Sequence, residues 1–331
     1  MLFRRLDMDN NNIIEINNLS VSYYSKKIFQ KSIKVNAVNN LSLKITNNTI
    51  YGLVGESGCG KTTTAKSIAR LVNISSGDIH YYDQNITKLS LDEFRKYRKN
   101  IQIIFQDPYS SLNPRIKVGK IVEEPIRIHT KYNKLEIKQK VKELFELVGL
   151  NPNHTERYPH EFSGGQRQRI VIAKALSVNP EFIICDEPLS ALDVSIQSQI
   201  MNLMLDLKER FKLTYLFISH DIGLVKSLCN YVSVMYLGKI VESGSCEEIF
   251  KNPKHPYTKA LLSSVPIPDP VKERKRKQII LNNEIPSPIN MPRGCVFHPR
   301  CSMVTEPCKN IIPKKVTIKH NHSVNCNLFH E

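Results

Sequence analysis

One octapeptide limits the fold more than any other part of this sequence. GESGCGKT, residues 55–62, fits the pattern G-x-x-x-x-G-K-[ST]. It ends the short apolar run TIYGLVG and opens KTTTAKSIARLV, whose spacing predicts a helix. Strand, glycine loop and helix in this order form the unit on which nucleotide sites are built. We therefore expect an α/β core with a nucleotide site at residues 55–62, which we call the phosphate loop.

Each residue type in the phosphate loop has a physical task. Gly55 and Gly60 let the backbone curl so that several N–H groups point inward. Lys61 offers a mobile cation to the terminal phosphates, Thr62 offers a hydroxyl to Mg²⁺, and the helix that starts here adds its positive end. The residues expected to bind ATP here are Gly55, Glu56, Ser57, Gly58, Cys59, Gly60, Lys61, Thr62 and Thr63.

An acidic pair later in the chain completes this chemistry. In EFIICDEP, residues 181–188, four apolar residues precede Asp186 and Glu187. A short apolar run of this kind predicts a buried strand with the two acids at its end. We expect Asp186 to hold Mg²⁺, and Glu187 to orient and deprotonate water beside the γ-phosphate.

A second glycine turn, HEFSGGQRQRI at residues 160–170, has no lysine in a position to grip phosphate. Ser163 is a good helix N-cap, and Gly164 and Gly165 let the first turn approach an anion closely. Such a turn makes sense as half of a site. We expect it to cover ATP held by the phosphate loop of another subunit, so that hydrolysis requires two chains.

These motifs together resemble those of the ATP-binding cassette (ABC) family over roughly residues 13–250. The signature of that family is similar to FSGGQ, residues 162–166, which includes Gln166. The phosphate loop resembles the Walker A motif, and FIICDE resembles the Walker B strand with its catalytic glutamate. Phe162 replaces the usual signature leucine, and Thr62 replaces the commoner serine.

The same resemblance implies roles for further single residues. Gln106, in IIFQDP, resembles the glutamine that senses Mg²⁺ and faces the membrane partner. Asp193, in SALD, resembles the residue that crosses to the other subunit, and His220 resembles the switch histidine on the γ-phosphate. Tyr23 matches the aromatic residue that stacks on adenine, with Tyr24 as the alternative.

The family resemblance also implies the architecture. We expect a P-loop NTPase (RecA-like) α/β core with an antiparallel β subdomain and a helical ABC subdomain at about residues 108–172. The nucleotide-binding domain would span residues 10–252. Proline-rich sequence then begins, and we expect a small cysteine-containing C-terminal extension at residues 253–331.

That extension is similar to the one in ATPases of oligopeptide and dipeptide importers, above all to the second ATPase subunit of the oligopeptide system. The resemblance rests on NPKHPYTKALLSSVPIPDP and EIPSPINMPRGCVFHPRC. It implies that ATP hydrolysis powers peptide import with a second, different ATP-binding subunit, two transmembrane permease subunits and, indirectly, an extracytoplasmic peptide-binding protein. Some relatives carry nickel instead, so an ATPase of a nickel importer is the alternative.

Half of the eight cysteines crowd into the extension. Paired C-x-x-C spacing, which would indicate zinc, is absent among them. Four thiolates suit a [4Fe–4S] cluster, and the family resemblance implies one at Cys295, Cys301, Cys308 and Cys326. Zn²⁺ is the alternative, with His298, His320 and His322 as further ligands; unligated thiols are the third possibility.

The net charge of +16 is compatible with nucleic acid, with an anionic membrane face, or with compositional drift in a chain rich in Lys, Asn and Ile. A chromosome or DNA-repair ATPase with this head would carry a long coiled coil between residues 62 and 163, and no sustained heptads occur there. We therefore expect no nucleic-acid partner. Without a signal-peptide pattern at the N-terminus, we expect a peripheral protein at the cytoplasmic face of the membrane.

Overall fold

The computed structural model describes residues 12–25, 33–266, 278–281, 284–319 and 321–329. They belong to two compact units. The first unit takes in the described residues of 1–45, 49–87 and 219–331, and the second unit takes in residues 46–48 and 88–218. None of the described helices combines the length and the apolar character that crossing a bilayer demands.

The strands and helices are numbered in chain order. The strands are β1 Asn12–Ser25, β2 Ile33–Thr46, β3 Ile50–Val54, β4 Ser76–Tyr81, β5 Gln84–Asn85, β6 Ile101–Ile104, β7 Phe182–Asp186, β8 Thr214–Ser219, β9 Tyr231–Tyr236, β10 Lys239–Ser245, β11 Lys315–Lys319 and β12 His322–Asn325. The α-helices are α1 Lys61–Ile68, α2 Leu91–Arg95, α3 Pro108–Ser111, α4 Val118–His129, α5 Lys134–Leu147, α6 Gly164–Leu176, α7 Val194–Phe211, α8 Ile222–Leu228, α9 Cys246–Lys251, α10 Pro256–Ser263 and α11 Glu306–Asn310. Short 3₁₀ helices are Pro152–Glu156, Pro159–Glu161, His298–Arg300 and Asn327–Phe329.

The first unit contains a four-stranded sheet in the order β2-β1-β4-β5. β1 and β4 run antiparallel, with Ile14 opposite Tyr81 and Ile16 opposite Ile79. The two isoleucines are fully buried, whereas Glu15 between them pairs with Lys44 at the surface side. This alternation is what a strand with one buried face requires.

A second set of strands in the first unit runs in the order β11-β12-β10-β9-β3. β3 and β9 are parallel, and β9, β10, β12 and β11 continue as antiparallel neighbours. All five residues of β3 are buried, so the strand that delivers the phosphate loop lies in the interior. β11 and β12 come from the predicted C-terminal extension and are hydrogen-bonded into this same set of strands.

The second unit contains the parallel strands β8, β7 and β6, with Asp186 of β7 opposite Ile218 of β8. Every residue of β7 and β8 is buried, which is typical of parallel strands covered on both faces. Helices α4, α5 and α6 of this unit pack against one another. The buried face of α5 includes Ile137, Val141 and Leu144.

Candidate nucleotide site

The phosphate loop has the backbone conformation that its glycines permit. Gly60, the N-cap of α1, has φ 107°, and a Cβ placed there would lie 2.3 Å from the carbonyl oxygen of Ala37. A Cβ on Gly55 would lie 2.1 Å from the carbonyl oxygen of Met235. Both approaches are far shorter than a van der Waals contact, so only glycine fits at the two positions that define the motif.

Lys61 is folded back onto its own loop. Its side chain is buried, and Nζ donates hydrogen bonds to the carbonyl oxygens of Gly55 at 2.7 Å and Glu56 at 3.0 Å. Cys59 lies beside the same ammonium group, and burial raises the pKa of its thiol. A phosphate oxygen could replace either carbonyl as acceptor, so the residues present fit a nucleotide phosphate.

The two tyrosine candidates for adenine stacking lie at the end of β1. Tyr23 is 43% exposed, and its hydroxyl lies 3.4 Å from Oγ1 of Thr63 in α1. Tyr24 is 63% exposed. Successive residues of a strand point to opposite faces, so the contact with Thr63 places the Tyr23 side chain on the side of the phosphate loop. This contact favours Tyr23 over Tyr24 as the residue that stacks on adenine. The stacking role itself stays a prediction.

The acidic pair ends β7 in the second unit. Asp186 is 4% exposed. Glu187 has φ 50°, an uncommon conformation for a residue other than glycine, and its N–H donates to the carbonyl oxygen of Ile218 at 2.9 Å. The Glu187 carboxylate accepts a hydrogen bond at Oε2 from Nε2 of Gln106, at 2.9 Å. The structure thus brings two of the predicted catalytic residues into direct contact.

The second glycine turn begins α6 as a capping box. The Ser163 hydroxyl accepts from the N–H of Gln166, and the Gln166 side chain accepts from the N–H of Ser163 at 3.0 Å. A Cβ on Gly165 would lie 2.5 Å from Cγ2 of Ile196 in α7, whereas one on Gly164 would meet Leu192 at 3.4 Å. Packing against α7 therefore favours glycine at 165, in addition to the approach of an anion.

The remaining two predicted residues are exposed. Asp193 is the N-cap of α7 and lies next to Val194, which is 78% exposed. His220 directly follows β8. Asp221 then caps α8 through hydrogen bonds from the N–H groups of Gly223 and Leu224. Both Asp193 and His220 are accessible to a ligand or a partner.

Sequence reasoning missed two residues that contact the phosphate loop. Arg300 donates from Nη1 to Oε2 of Glu56 at 2.7 Å, and the Tyr257 hydroxyl accepts from the N–H of Glu56 at 3.0 Å. Phe297 packs against Tyr257 and Tyr236, with ring centroids 5.3 Å and 5.2 Å apart. No short-range pattern links residue 56 to residues 257 and 300, so this contact required the structure.

The four tail cysteines lie near one another without forming a metal site. The pKa of Cys326 is raised to about 11, mainly by burial and further by Cys295, Cys301 and Cys308. Within the described parts of the chain, no three or more His, Cys, Asp or Glu side chains are arranged so that they could hold a metal ion. The expected [4Fe–4S] cluster is therefore not supported.

The alternative zinc ligands of the tail are engaged elsewhere. Nδ1 of His298 lies 2.9 Å from the carbonyl oxygen of Cys295, and Nε2 of His322 lies 2.8 Å from Oε1 of Glu242. His320 lies outside the described residues. Burial also raises the pKa of Cys295 and Cys301.

Two known protein families match different parts of this chain. Residues 38–190 match the model of the ABC transporter family, and residues 241–308 match the C-terminal region of oligopeptide/dipeptide transporters. The oligopeptide transport ATP-binding protein AppF of Bacillus subtilis is 50% identical over 304 residues, which cover 91% of this chain and 92% of AppF. The chain belongs to the ATP-binding subunits of ABC transporters. A second relative is the oligopeptide transport ATP-binding protein OppF of Haemophilus influenzae, 46% identical over 95% of this chain and 96% of OppF.

Solved structures of ABC proteins agree with this assignment. A dimeric post-hydrolysis state of the ATP-binding cassette MJ0796, bound to ADP and Pi, is 26% identical with a TM-score of 0.63, and covers 70% of this chain and 98% of its own. CbiO1 from Clostridium perfringens, part of the ABC transporter complex cbiONQ, is 26% identical with a TM-score of 0.64, covering 73% and 92%. The predicted α/β P-loop NTPase fold is confirmed. The predicted domain boundaries stay a prediction.

As a member of this ABC family, the chain is an ATPase, which confirms the predicted enzyme class. Its phosphate loop, acidic pair and second glycine turn contain the residues on which the resemblance to the ABC family rests.

Proposed function

We propose that this ABC ATPase powers the import of oligopeptides or dipeptides through a membrane transporter. The observation that carries the cargo class is the match of residues 241–308 to the oligopeptide/dipeptide transporter C-terminal region. The identity of 50% to AppF along almost the whole chain supports the same cargo. The alternative is that the chain powers a nickel importer, and the uptake experiment below distinguishes the two cargoes.

ATP is held first by the phosphate loop. The buried ammonium of Lys61 exchanges the carbonyl oxygens of Gly55 and Glu56 for phosphate oxygens, and Tyr23 supports the adenine ring. The Thr62 hydroxyl and the Asp186 carboxylate are oxygen donors of the kind that Mg²⁺ prefers, and Gln106 adds an amide oxygen. Held by these residues, Mg²⁺ would supply positive charge to offset the charge that develops on the phosphates during transfer.

Glu187 orients and deprotonates the attacking water. Its carboxylate accepts a hydrogen bond from Gln106, which orients it, and a carboxylate in this position can accept a proton from water. In this proposal Gln106 is also a ligand of Mg²⁺. Any movement of its side chain therefore changes the orientation of the Glu187 carboxylate. His220 assists by a hydrogen bond to the γ-phosphate.

The second glycine turn binds the ATP that is held by a second subunit. Ser163, Gly164, Gly165 and Gln166 form the N-terminal end of α6, whose positive dipole end favours an anion. Asp193 at the start of α7 crosses toward the same partner. Each chain therefore owns two unlike halves of a site, and turnover requires two ATP-binding subunits.

The remaining partners follow from the transporter assignment. We infer a different second ATP-binding subunit, two transmembrane permease subunits and, through them, an extracytoplasmic peptide-binding protein. The protein then sits at the cytoplasmic face of the membrane as a peripheral subunit, and no nucleic acid takes part.

A [4Fe–4S] cluster at Cys295, Cys301, Cys308 and Cys326, with Zn²⁺ as the alternative, is kept as a hypothesis apart from the transport cycle. Its support is the proximity of the four thiols: burial raises the pKa of Cys326, and the three other thiols raise it further. Iron, sulfide and zinc analysis of anaerobically purified protein tests it. Protein that is colourless and metal-free overturns it.

The transport function is tested by co-expression with candidate permease genes and by uptake. The chain should co-purify with two polytopic membrane proteins, and ATP turnover should rise with subunit concentration. Cells that lack the chain should lose uptake of a labelled oligopeptide and regain it with the wild-type gene but not with Glu187→Gln. Normal peptide uptake together with lost nickel uptake would overturn the peptide assignment.

A further inference from the structure

The contact between Glu56 and the C-terminal region is an unusual feature of this site. Glu56 places a carboxylate inside a loop that binds polyphosphate, and like charges repel. Arg300, which lies between Cys295 and Cys301 in the extension, forms an ion pair with the Glu56 carboxylate at 2.7 Å. The arginine side chain is only 8% exposed and the glutamate side chain 22% exposed, so water screens this pair less than an exposed one.

A second contact fixes the backbone of the same residue. The Tyr257 hydroxyl accepts the N–H of Glu56 at 3.0 Å, and Tyr257 is fully buried. Its ring packs against Tyr236 and Phe297, with centroids 4.7 Å and 5.3 Å apart. The guanidinium of Arg300 also lies 5.9 Å from the centre of the Tyr236 ring. Side chain and main chain of Glu56 are therefore both held by residues beyond residue 235.

Glu56 is coupled to the phosphate-binding lysine. Its carbonyl oxygen accepts a hydrogen bond from Nζ of Lys61 at 3.0 Å. A change in the position of Glu56 thus changes the acceptor that Lys61 exchanges for phosphate. The carboxylate charge of Glu56 acts on the same phosphates directly.

We propose that Arg300 and Tyr257 are positioning residues for the phosphate loop: Arg300 neutralises and holds the Glu56 carboxylate, and Tyr257 holds its N–H, so that the loop accepts the phosphates of ATP. This role rests on the proposed function, because it concerns ATP binding at the same loop. It assigns to the peptide-transporter C-terminal region a task in nucleotide binding, in addition to any role in transport.

The charges of Arg300 and Glu56 allow a test that distinguishes this proposal from a purely structural role. ATP binding to the full-length chain with Mg²⁺ is measured by titration calorimetry at low salt. Arg300→Gln leaves the carboxylate uncompensated and should raise the Kd by roughly 5-fold, a ratio that shrinks toward one at high salt. Glu56→Gln leaves the arginine charge and should lower the Kd. The double variant removes both charges and should return close to the wild-type Kd.

Arg300→Lys, which keeps the charge, should restore most of the affinity that Arg300→Gln loses. Two results overturn the proposal: an Arg300→Gln Kd equal to that of the wild type, or a double variant as weak as Arg300→Gln. If Arg300→Gln does not fold, Glu56→Gln decides, because unchanged or weaker binding by that variant contradicts the charge argument.

Tyrosine-to-phenylalanine variants give the matched comparison. Tyr257→Phe should raise the Kd by roughly 3-fold, since the Glu56 N–H loses its acceptor. Tyr51→Phe removes another buried hydroxyl, which is bonded to Ser233 of β9 at 2.7 Å, and it should leave the Kd unchanged. Equal effects of the two variants would overturn the role of Tyr257. Failure of the wild-type chain to bind ATP would instead refute the proposed function.

Discussion

Gln106 donates a hydrogen bond from Nε2 to Oε2 of Glu187 at 2.9 Å, while the Glu187 backbone adopts φ 50°. A left-handed conformation is uncommon in residues other than glycine, and such strain is concentrated at functional sites. Here it comes with a backbone hydrogen bond to Ile218. The side-chain amide and the backbone thus both determine where the carboxylate points.

The first prediction concerns this carboxylate. Glu187→Gln should reduce phosphate release at least about 100-fold, because the amide cannot accept the proton of the attacking water. ATP binding measured on the same sample should be retained. Glu181→Gln, at the exposed entrance to β7, serves as the control with normal turnover. Full turnover by Glu187→Gln would remove Glu187 from the role of base.

The second prediction concerns the buried ammonium group of the phosphate loop. Lys61→Met should weaken ATP binding by about 50-fold, since a hydrogen bond from a charged donor to phosphate is lost. Titration calorimetry measures it. Lys66→Met, one helical turn further along α1, removes an equal charge and should change the Kd less than about 2-fold. A similar loss in both variants would indicate a general charge effect instead.

The third prediction uses the two signature glycines as a matched pair. Gly165→Ala places a methyl group 2.5 Å from Cγ2 of Ile196 and should lower the free energy of unfolding by about 1–3 kcal/mol. Gly164→Ala meets Leu192 at an ordinary 3.4 Å and should cost less than about 1 kcal/mol. Urea unfolding at neutral pH compares them. Equal stability of the two variants would contradict the packing argument.

The fourth prediction concerns pH. Burial lowers the pKa of His255 from its ordinary value of 6.5 to about 3, so the folded protein keeps this imidazole neutral where the unfolded chain binds a proton. Its contribution to the free energy of unfolding is therefore intact above pH 6.5. It falls by up to about 1.4 kcal/mol per pH unit as the pH drops from 6.5 toward 3.

His255→Asn tests this prediction, because asparagine can still accept the N–H of Tyr257 at the start of α10 but does not titrate. The loss of stability between pH 7 and pH 5 should be about 2 kcal/mol smaller in this variant than in the wild type. His160→Asn, at an exposed position, should keep the wild-type pH dependence. An unchanged pH dependence in His255→Asn would show that folding does not lower the pKa of His255.

Local patterns predicted the elements that carry the chemistry. β3, the glycine loop and α1 follow from an apolar run, residues that tolerate positive φ, and helical spacing. The buried residues Ile137, Val141 and Leu144 stand at helical spacing along α5, and Gly149, with φ 72°, lies just beyond the end of that helix. Each of these features depends on residues close together in sequence, where periodicity and backbone conformation decide the structure.

Long-range contacts could not be predicted in this way. The hydrogen bond that Glu56 donates to Tyr257 and the one that it accepts from Arg300 depend on how the extension folds back, which no periodicity encodes. The geometry of the tail cysteines could not be predicted from the sequence either. The family resemblance implied a cluster, which the described residues do not support as a metal site. The structure instead places the hydroxyl of Thr305 3.2 Å from Sγ of Cys308.

The pairing of β12 with β10 has a consequence for any attempt to shorten this protein. Glu242 of β10 is 1% exposed and accepts hydrogen bonds from the N–H groups of Lys254 and His255, with the imidazole of His322 from β12 at 2.8 Å. A chain cut before β11 would leave β10 as an open edge strand and would uncover a buried carboxylate. The last segment is thus an integral part of the ATPase fold, and truncation would first destabilise the strands next to β10.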